Sequence, residues 1–328
     1  MWGFASLVAA ALGGHAAAEA QTQPPSRLGS LLITLPDSEF VQRLDLDQPD
    51  RLSDLPDRNA KGARFFAANR YYFKIQDSGF KQDTLTVYAA DTGRAAYVAS
   101  RVPRLSDVEP SPLAEGVFFL TFLGIASDTG VFAVVDLANG QRVLASYKGE
   151  VGQYLHWWMP DGSLRRLHAH TGELSAWSGR LQDAREPITW QVLGVLSPPL
   201  PGQLYATAVP SPSGQELLLS TVDPRSRHED LWMVDMRDGT VQRVTRDGFV
   251  SFVRWSPDGR SLLLRRSNVS SINTTFRGQC SYWIVPSSGR EVSGLVPGIA
   301  HALAQQVFYG NRGSPQSLPC GKVAAWMP

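Results

Sequence analysis

The sequence predicts an all-β protein folded as a β-propeller of six four-stranded blades. One complete four-strand unit lies near the C-terminal end, and degraded copies recur upstream at intervals that centre near ~40–50 residues. Neither end of the chain supplies a whole unit by itself. Composition agrees with a folded, turn-rich β protein, since 43% of the 328 residues are hydrophobic and 29 Gly and 22 Pro are available for turns.

The complete unit spans residues 252–292. Residues 252–255 form a short aromatic and β-branched strand, and Ser256-Pro257-Asp258-Gly259 turns the chain, with Pro presetting φ and Gly accepting positive φ. Residues 261–266 return as a second strand. After a polar loop, residues 282–285 make a third strand, Ser288-Gly289 turns the chain, and residues 290–295 make the fourth.

The copies align on two turns. The first turn recurs as Ser211-Pro212-Ser213-Gly214 before residues 217–219, and more loosely as Ser111-Pro112 through Gly116 before residues 117–120. The second follows an apolar strand and contains Gly, at Gly93, Gly140, Gly172, Gly239 and Gly289. The unit holding Gly172 is shorter and opens with Trp157-Trp158-Met159-Pro160-Asp161-Gly162.

The segment Val253-Arg254-Trp255-Ser256-Pro257-Asp258-Gly259-Arg260-Ser261-Leu262 closely resembles the repeat signature of the TolB-like β-propellers, which are related in pattern to WD repeats. Pro160-Asp161-Gly162 and Pro212-Ser213-Gly214 resemble degenerate versions of it. The resemblance extends over residues 30–328, and it implies a fold far more strongly than a function.

A propeller must hide the open edges of its first and last blades. Residues 307–309 and 323–326 read as strands, and residues 31–35 with 40–44 read as the hairpin that completes a shared blade. The remaining units fall near 66–105, 106–149, 150–186, 187–247 and 248–296. Seven blades is the alternative, because the stretch 189–239 is long enough to hold extra strands.

Residues 1–20 read as an export signal, 21–29 as a linker and 30–328 as one propeller domain. Residues 4–12 are an apolar core too short to span a bilayer, and Ala18-Glu19-Ala20 offers small residues for cleavage. No Lys or Arg precedes Arg27, which departs from the usual signal. The expected location is periplasmic or secreted, with no membrane span after cleavage and a monomeric product. A net charge of +1 gives no electrostatic footprint for nucleic acid.

In an exported protein the two cysteines, Cys280 and Cys320, are expected to form a disulfide. Closing a loop of that size is worth roughly 4 kcal/mol in the chain-entropy view. No Gly-x-Ser-x-Gly elbow occurs, so an attached serine hydrolase is not expected. His168 and His170, two apart on an expected strand, are weak metal candidates with His156 or Asp161 as third ligands, and a polar outer strand is the plainer reading. No cofactor is expected. Asp45, Asp47 and Asp50 lack the Gly and terminal Glu of a calcium loop and read, with Asp54 and Asp57, as a solvated connection.

Trp157 and Trp158, beside Tyr154 and His156, are the densest aromatic cluster and are candidates for binding a partner or sugar. Strand alternation sends one of them to each face, so at least one belongs to the core. Arg254, on an innermost strand, is a candidate channel residue or a structural ion pair. Asn268-Val269-Ser270 and Asn273-Thr274-Thr275 fit the glycosylation pattern and mark one exposed loop. The first functional expectation is a non-catalytic exported scaffold with a protein partner. The alternatives are a carbohydrate- or lactone-active propeller enzyme with a metal in its channel, and a glycan or small-ligand binder.

Overall fold

The computed structural model describes residues 28–35, 38, 40–55, 64–65, 70–124, 128–179, 186–197, 201–226, 228–245, 250–267, 280–287, 305–309, 316–318 and 322–328. The expected signal segment, both sequons, residues 290–295 and Cys320 lie outside these, as does the side chain of Cys280. Among the described residues every regular element is a strand.

Six antiparallel sheets form the blades, each written here from the innermost strand outward. Blade 1 comprises Arg64–Phe65, Tyr71–Gly79, Gln82–Ala89 and Ala95–Pro103. Blade 2 comprises Leu105–Pro110, Val117–Leu123, Thr129–Asp136 and Arg142–Glu150, and Glu186–Pro187 adds a short parallel fifth strand at its rim. Blade 3 comprises Tyr154–Trp158, Leu164–His168, Glu173–Trp177 and Gln191–Val195. Blade 4 comprises Leu204–Pro210, Glu216–Val222, Glu229–Asp235 and Val241–Arg243. Blade 5 comprises Val250–Trp255, Ser261–Ser267, Cys280–Pro286 and Gln305–Gln306. Blade 6 joins the two ends: Lys322–Met327 is innermost, followed by Ser30–Thr34, Gln42–Asp45 and Leu52–Asp54.

The long stretch that left room for a seventh blade is thereby divided. Gln191–Val195 pairs with Glu173–Trp177 and closes blade 3, which leaves 204–243 as one ordinary blade. A left-handed glycine ties this strand down. Gly172 has φ +71°, and its carbonyl accepts a 2.8 Å bond from the Leu196 amide.

Ring closure uses a shared blade, but in different proportions from those expected. The N-terminal segment gives three strands rather than two. Asp45 Oδ1 accepts the amides of Asp47 at 2.9 Å and Gln48 at 3.2 Å, and this turns the aspartate-rich segment back into the strand Leu52–Asp54. The expected solvated connection is therefore partly an outer hairpin. Phe308–Tyr309 pairs instead with Gln316–Ser317 in a separate two-stranded ladder. Val307 and Leu318 from that region are buried in the core between blades 5 and 6. Trp326 is fully buried and its indole N–H donates to the Leu28 carbonyl at 2.6 Å, which fastens the last strand to the first described residue.

Among the described residues, six hydrophobic clusters fill the six gaps between blades, and strand alternation builds them. Phe118 packs toward blade 1 while Phe119 packs toward blade 3. In blade 4 Leu218 joins the core with blade 5, whereas Leu217 and Leu219 join the core with blade 3. Leu31 and Ile33 face blade 5 and Leu32 faces blade 1. Second strands with two apolar faces thus read as continuous hydrophobic runs, because each blade is sandwiched by two neighbours.

Candidate functional site at the channel mouth

In blades 2 to 5 the first turn joins the innermost strand to the next, so ring topology brings these turns to one end of the channel. In blade 5 the Ser256 hydroxyl binds Asp258 Oδ1 at 2.6 Å and accepts the Ser261 amide at 2.8 Å, while the Gly259 amide donates to the Ser256 carbonyl at 2.9 Å. In blade 4 Ser211 holds the same place: its hydroxyl accepts the Glu216 amide at 3.1 Å and its carbonyl accepts the Gly214 amide at 2.9 Å. Blade 3 substitutes Met159 for that serine, and Asp161 Oδ1 accepts both the amide and the hydroxyl of Ser163, at 2.8 and 2.6 Å. Those bonds hold the Asp161 carboxyl below its ordinary range, with the Ser163 hydroxyl the largest cause.

These turns line a cavity of about 360 Å³. Its wall is apolar, formed by Pro112, Pro160, Pro212 and Pro257 at equivalent turns, by Pro110 and Pro210, and by edges of Trp157, Trp158 and Trp255. Arg70 and Tyr71 of blade 1, Glu109, Ser111 and Glu115 of blade 2 and Ser211 of blade 4 supply its polar groups. The indole N–H groups of Trp158 and Trp255 each donate at 3.3 Å to the inner strand of the preceding blade, at the carbonyls of Glu109 and Val209. These contacts repeat the blade period as well as its geometry.

Trp157 and Trp158 are 3% and 6% exposed, so both belong to cores, one on each side of blade 3. Only their edges reach the cavity. Strand alternation alone requires at least one in the core, and the interleaving of blades takes both.

Arg254, on the innermost strand of blade 5, is buried and interacts electrostatically with Glu109 on the innermost strand of blade 2. Burial pulls the Arg254 guanidinium below its usual range, opposed by Glu109. Burial pushes the Glu109 carboxyl upward, Asp107 adds to the rise and Arg254 opposes it. Residues from blades 2 and 5 are thus coupled across the channel.

His168 and His170 stand at the other end of blade 3. His168 ends its strand while His170 lies in the following turn, and His168 Nδ1 accepts the amides of His170 at 3.2 Å and Thr171 at 3.1 Å. Asp161 lies beyond the opposite end of this five-residue strand, roughly 13 Å or more away at ~3.3 Å per residue. His156 turns toward blade 2, where its Nε2 and the Tyr147 hydroxyl are hydrogen-bonded at 2.5 Å. His168 and His170 stay together, with ring centroids 6.0 Å apart, while the fold takes Asp161 and His156 away from them. Among the described residues no three His, Cys, Asp or Glu side chains gather as a metal site.

Sequence reasoning missed Arg70, Tyr71, Tyr97, Glu109 and Glu115. The signal that points to the mouth was the proline recurring at the first turn of blades 2 to 5. The same reasoning also missed an aromatic cage in which the Arg166 guanidinium sits 4.3 Å from the Tyr154 ring centroid and 4.5 Å from that of Trp190.

No protein-family model matches the chain, and no curated protein matches it. Solved structures similar to it include a putative 6-phosphogluconolactonase from Bacteroides uniformis, at 11% identity and TM-score 0.47, covering 91% of this chain and 97% of that one. TolB from Acinetobacter baumannii matches at 14% identity and TM-score 0.43, covering 78% and 65%. The β-propeller domain of Cps50 (Swd1) from Myceliophteria thermophila matches at 13% and 0.40, covering 69% and 80%. The six-bladed architecture of this chain rests on its own strand pairing.

Proposed function

We propose that this protein is an exported, non-catalytic, TolB-like propeller that binds a protein partner at the mouth of its channel. The observation that carries this reading is the convergence of first turns from four consecutive blades on one apolar, aromatic and proline-edged cavity with the Glu115 carboxylate at its rim. Hydrophobic concavities with a few placed polar groups are where binding energy concentrates. The TolB-like assignment rests on residues 253–262, and export rests on the N-terminal segment. Trp157, Trp158 and Arg254 would act from the base of the cavity and from the channel behind it.

A photocrosslinking amino acid at Leu113, an exposed residue of the blade 2 first turn, tests the reading in the native envelope or secreted fraction. A discrete protein adduct is expected there and not from Phe80, a fully exposed residue between the second and third strands of blade 1, at the opposite end. Equal labelling from both positions, or none from Leu113, refutes it. A small-ligand function is the second reading, favoured by a volume within the ~300–1,000 Å³ of small-molecule sites. One tightly bound divalent ion per purified chain would favour the metal-dependent enzyme instead.

A further inference from the structure

From the rim of this cavity we infer that it takes a zwitterion with an apolar side chain, a hydrophobic amino acid or short peptide with free amino and carboxyl groups. The inference rests on the reading of the mouth as the binding face.

Glu115 is a positioned carboxylate. The hydroxyls of Tyr97 and Tyr71 donate to its Oε1 at 3.3 and 3.4 Å, and both tyrosines belong to the neighbouring blade. Its Oε2 accepts from no described residue. Arg70 stands on the same cavity, exposed, and its guanidinium makes no hydrogen bond or ion pair among the described residues. The two opposite charges share one rim and yet form no ion pair with each other, since that would require an approach within 4.0 Å. Glu109 also lines the cavity, but it is coupled to Arg254 in the channel behind. Among the described residues that line the cavity, the outward-facing charge is therefore one carboxylate and one guanidinium over an apolar wall.

A ligand with only one charge would satisfy one of them. An ammonium at Glu115 and a carboxylate at Arg70 satisfy both, and an arginine fork suits a carboxylate in particular. The side chain then lies on the prolines and indole edges. At about 360 Å³ the cavity is near the small end of ligand sites, which suits an amino acid or dipeptide.

Isothermal titration of the full folded chain at pH 7 tests this with four probes: L-phenylalanine, the dipeptide Leu-Phe, phenethylamine and 3-phenylpropionate. At least one of the two zwitterions should bind tenfold or more tighter than either singly charged compound, and the tighter of the two identifies the source. Glu115→Gln should reduce its affinity to about that of 3-phenylpropionate, and Arg70→Gln to about that of phenethylamine. Both sites are exposed, so unchanged melting temperatures will show that the variants fold. Equal affinity for a singly charged probe, no binding at millimolar concentration, or zwitterion binding unchanged in Glu115→Gln overturns the inference. Crosslinking from Leu113 in the same variants reports on the protein partner separately, so failure here is distinguishable from failure of the scaffold reading.

Discussion

As pH falls below 6.5, His156 should subtract stability from the folded protein, whatever the buried carboxyls add. The ring is enclosed between blades 2 and 3, with its centroid 4.9 Å from those of Phe119 and Phe132, and it is hydrogen-bonded to Tyr147. Burial, and secondly the Arg166 guanidinium, lower its pKa to about 3. In the unfolded chain the same imidazole titrates near 6.5. The folded value lies below the unfolded one, so the stabilisation is complete above the unfolded pKa and fades as pH falls toward the folded value. At pH 4.5 the unfolded state has gained a proton that the native state still refuses, and the loss is up to about 3 kcal/mol. Urea unfolding of wild type and His156→Gln at pH 7.5 and 4.5 measures it. The variant should be less stable at pH 7.5, since it loses the ring contacts, but it should lack the His156 loss on going to pH 4.5, while the buried carboxyls contribute equally in both proteins. The difference between those two changes should approach 3 kcal/mol. Parallel losses in both proteins would refute the argument, and would place the acid sensitivity in other groups.

Trp326→Ala should cost about 3–5 kcal/mol, because it empties a fully buried indole site and breaks the bond to Leu28 that closes the ring; an unchanged urea midpoint would mean that closure does not depend on this strand. Gly172→Ala should cost about 1–3 kcal/mol, since a Cβ at its left-handed φ would collide with the Leu196 carbonyl. Gly140→Ala has a similar φ of +76° with nothing near its Cβ, and should cost less when the two are compared by thermal unfolding. Cys280 and Cys320 should be bridged in protein recovered from its native exported fraction, which intact mass under alkylation, with and without reduction, will read. Two alkylated thiols before reduction would remove the bridge and weaken the case for export.

The first turns, the glycine-bearing second turns and the two-sided hydrophobic strands were legible in the sequence because each depends on chemistry within a few residues. Pro257 and Gly259 encode their turn locally, and residues 217–219 announce a strand buried on both faces. The need for the ends to share a blade was also legible, since neither end made one alone. What residues 30–54 would supply was not: the strand Leu52–Asp54 is short and polar, and it exists because Asp45 turns the chain onto a partner already in place. Gln191–Val195 escaped for a related reason, as a fully exposed outer strand has no burial pattern to betray it and is held by Gly172 and by pairing to Glu173–Trp177. The cavity lay furthest from the sequence. Glu115 is held by Tyr71, 44 residues away, and Glu109 is coupled to Arg254 across the channel. Local periodicity determined which residues turn, pair and face inward; only closure of the ring decided which side chains meet at its mouth, because charge coupling and enclosure depend on distance in space.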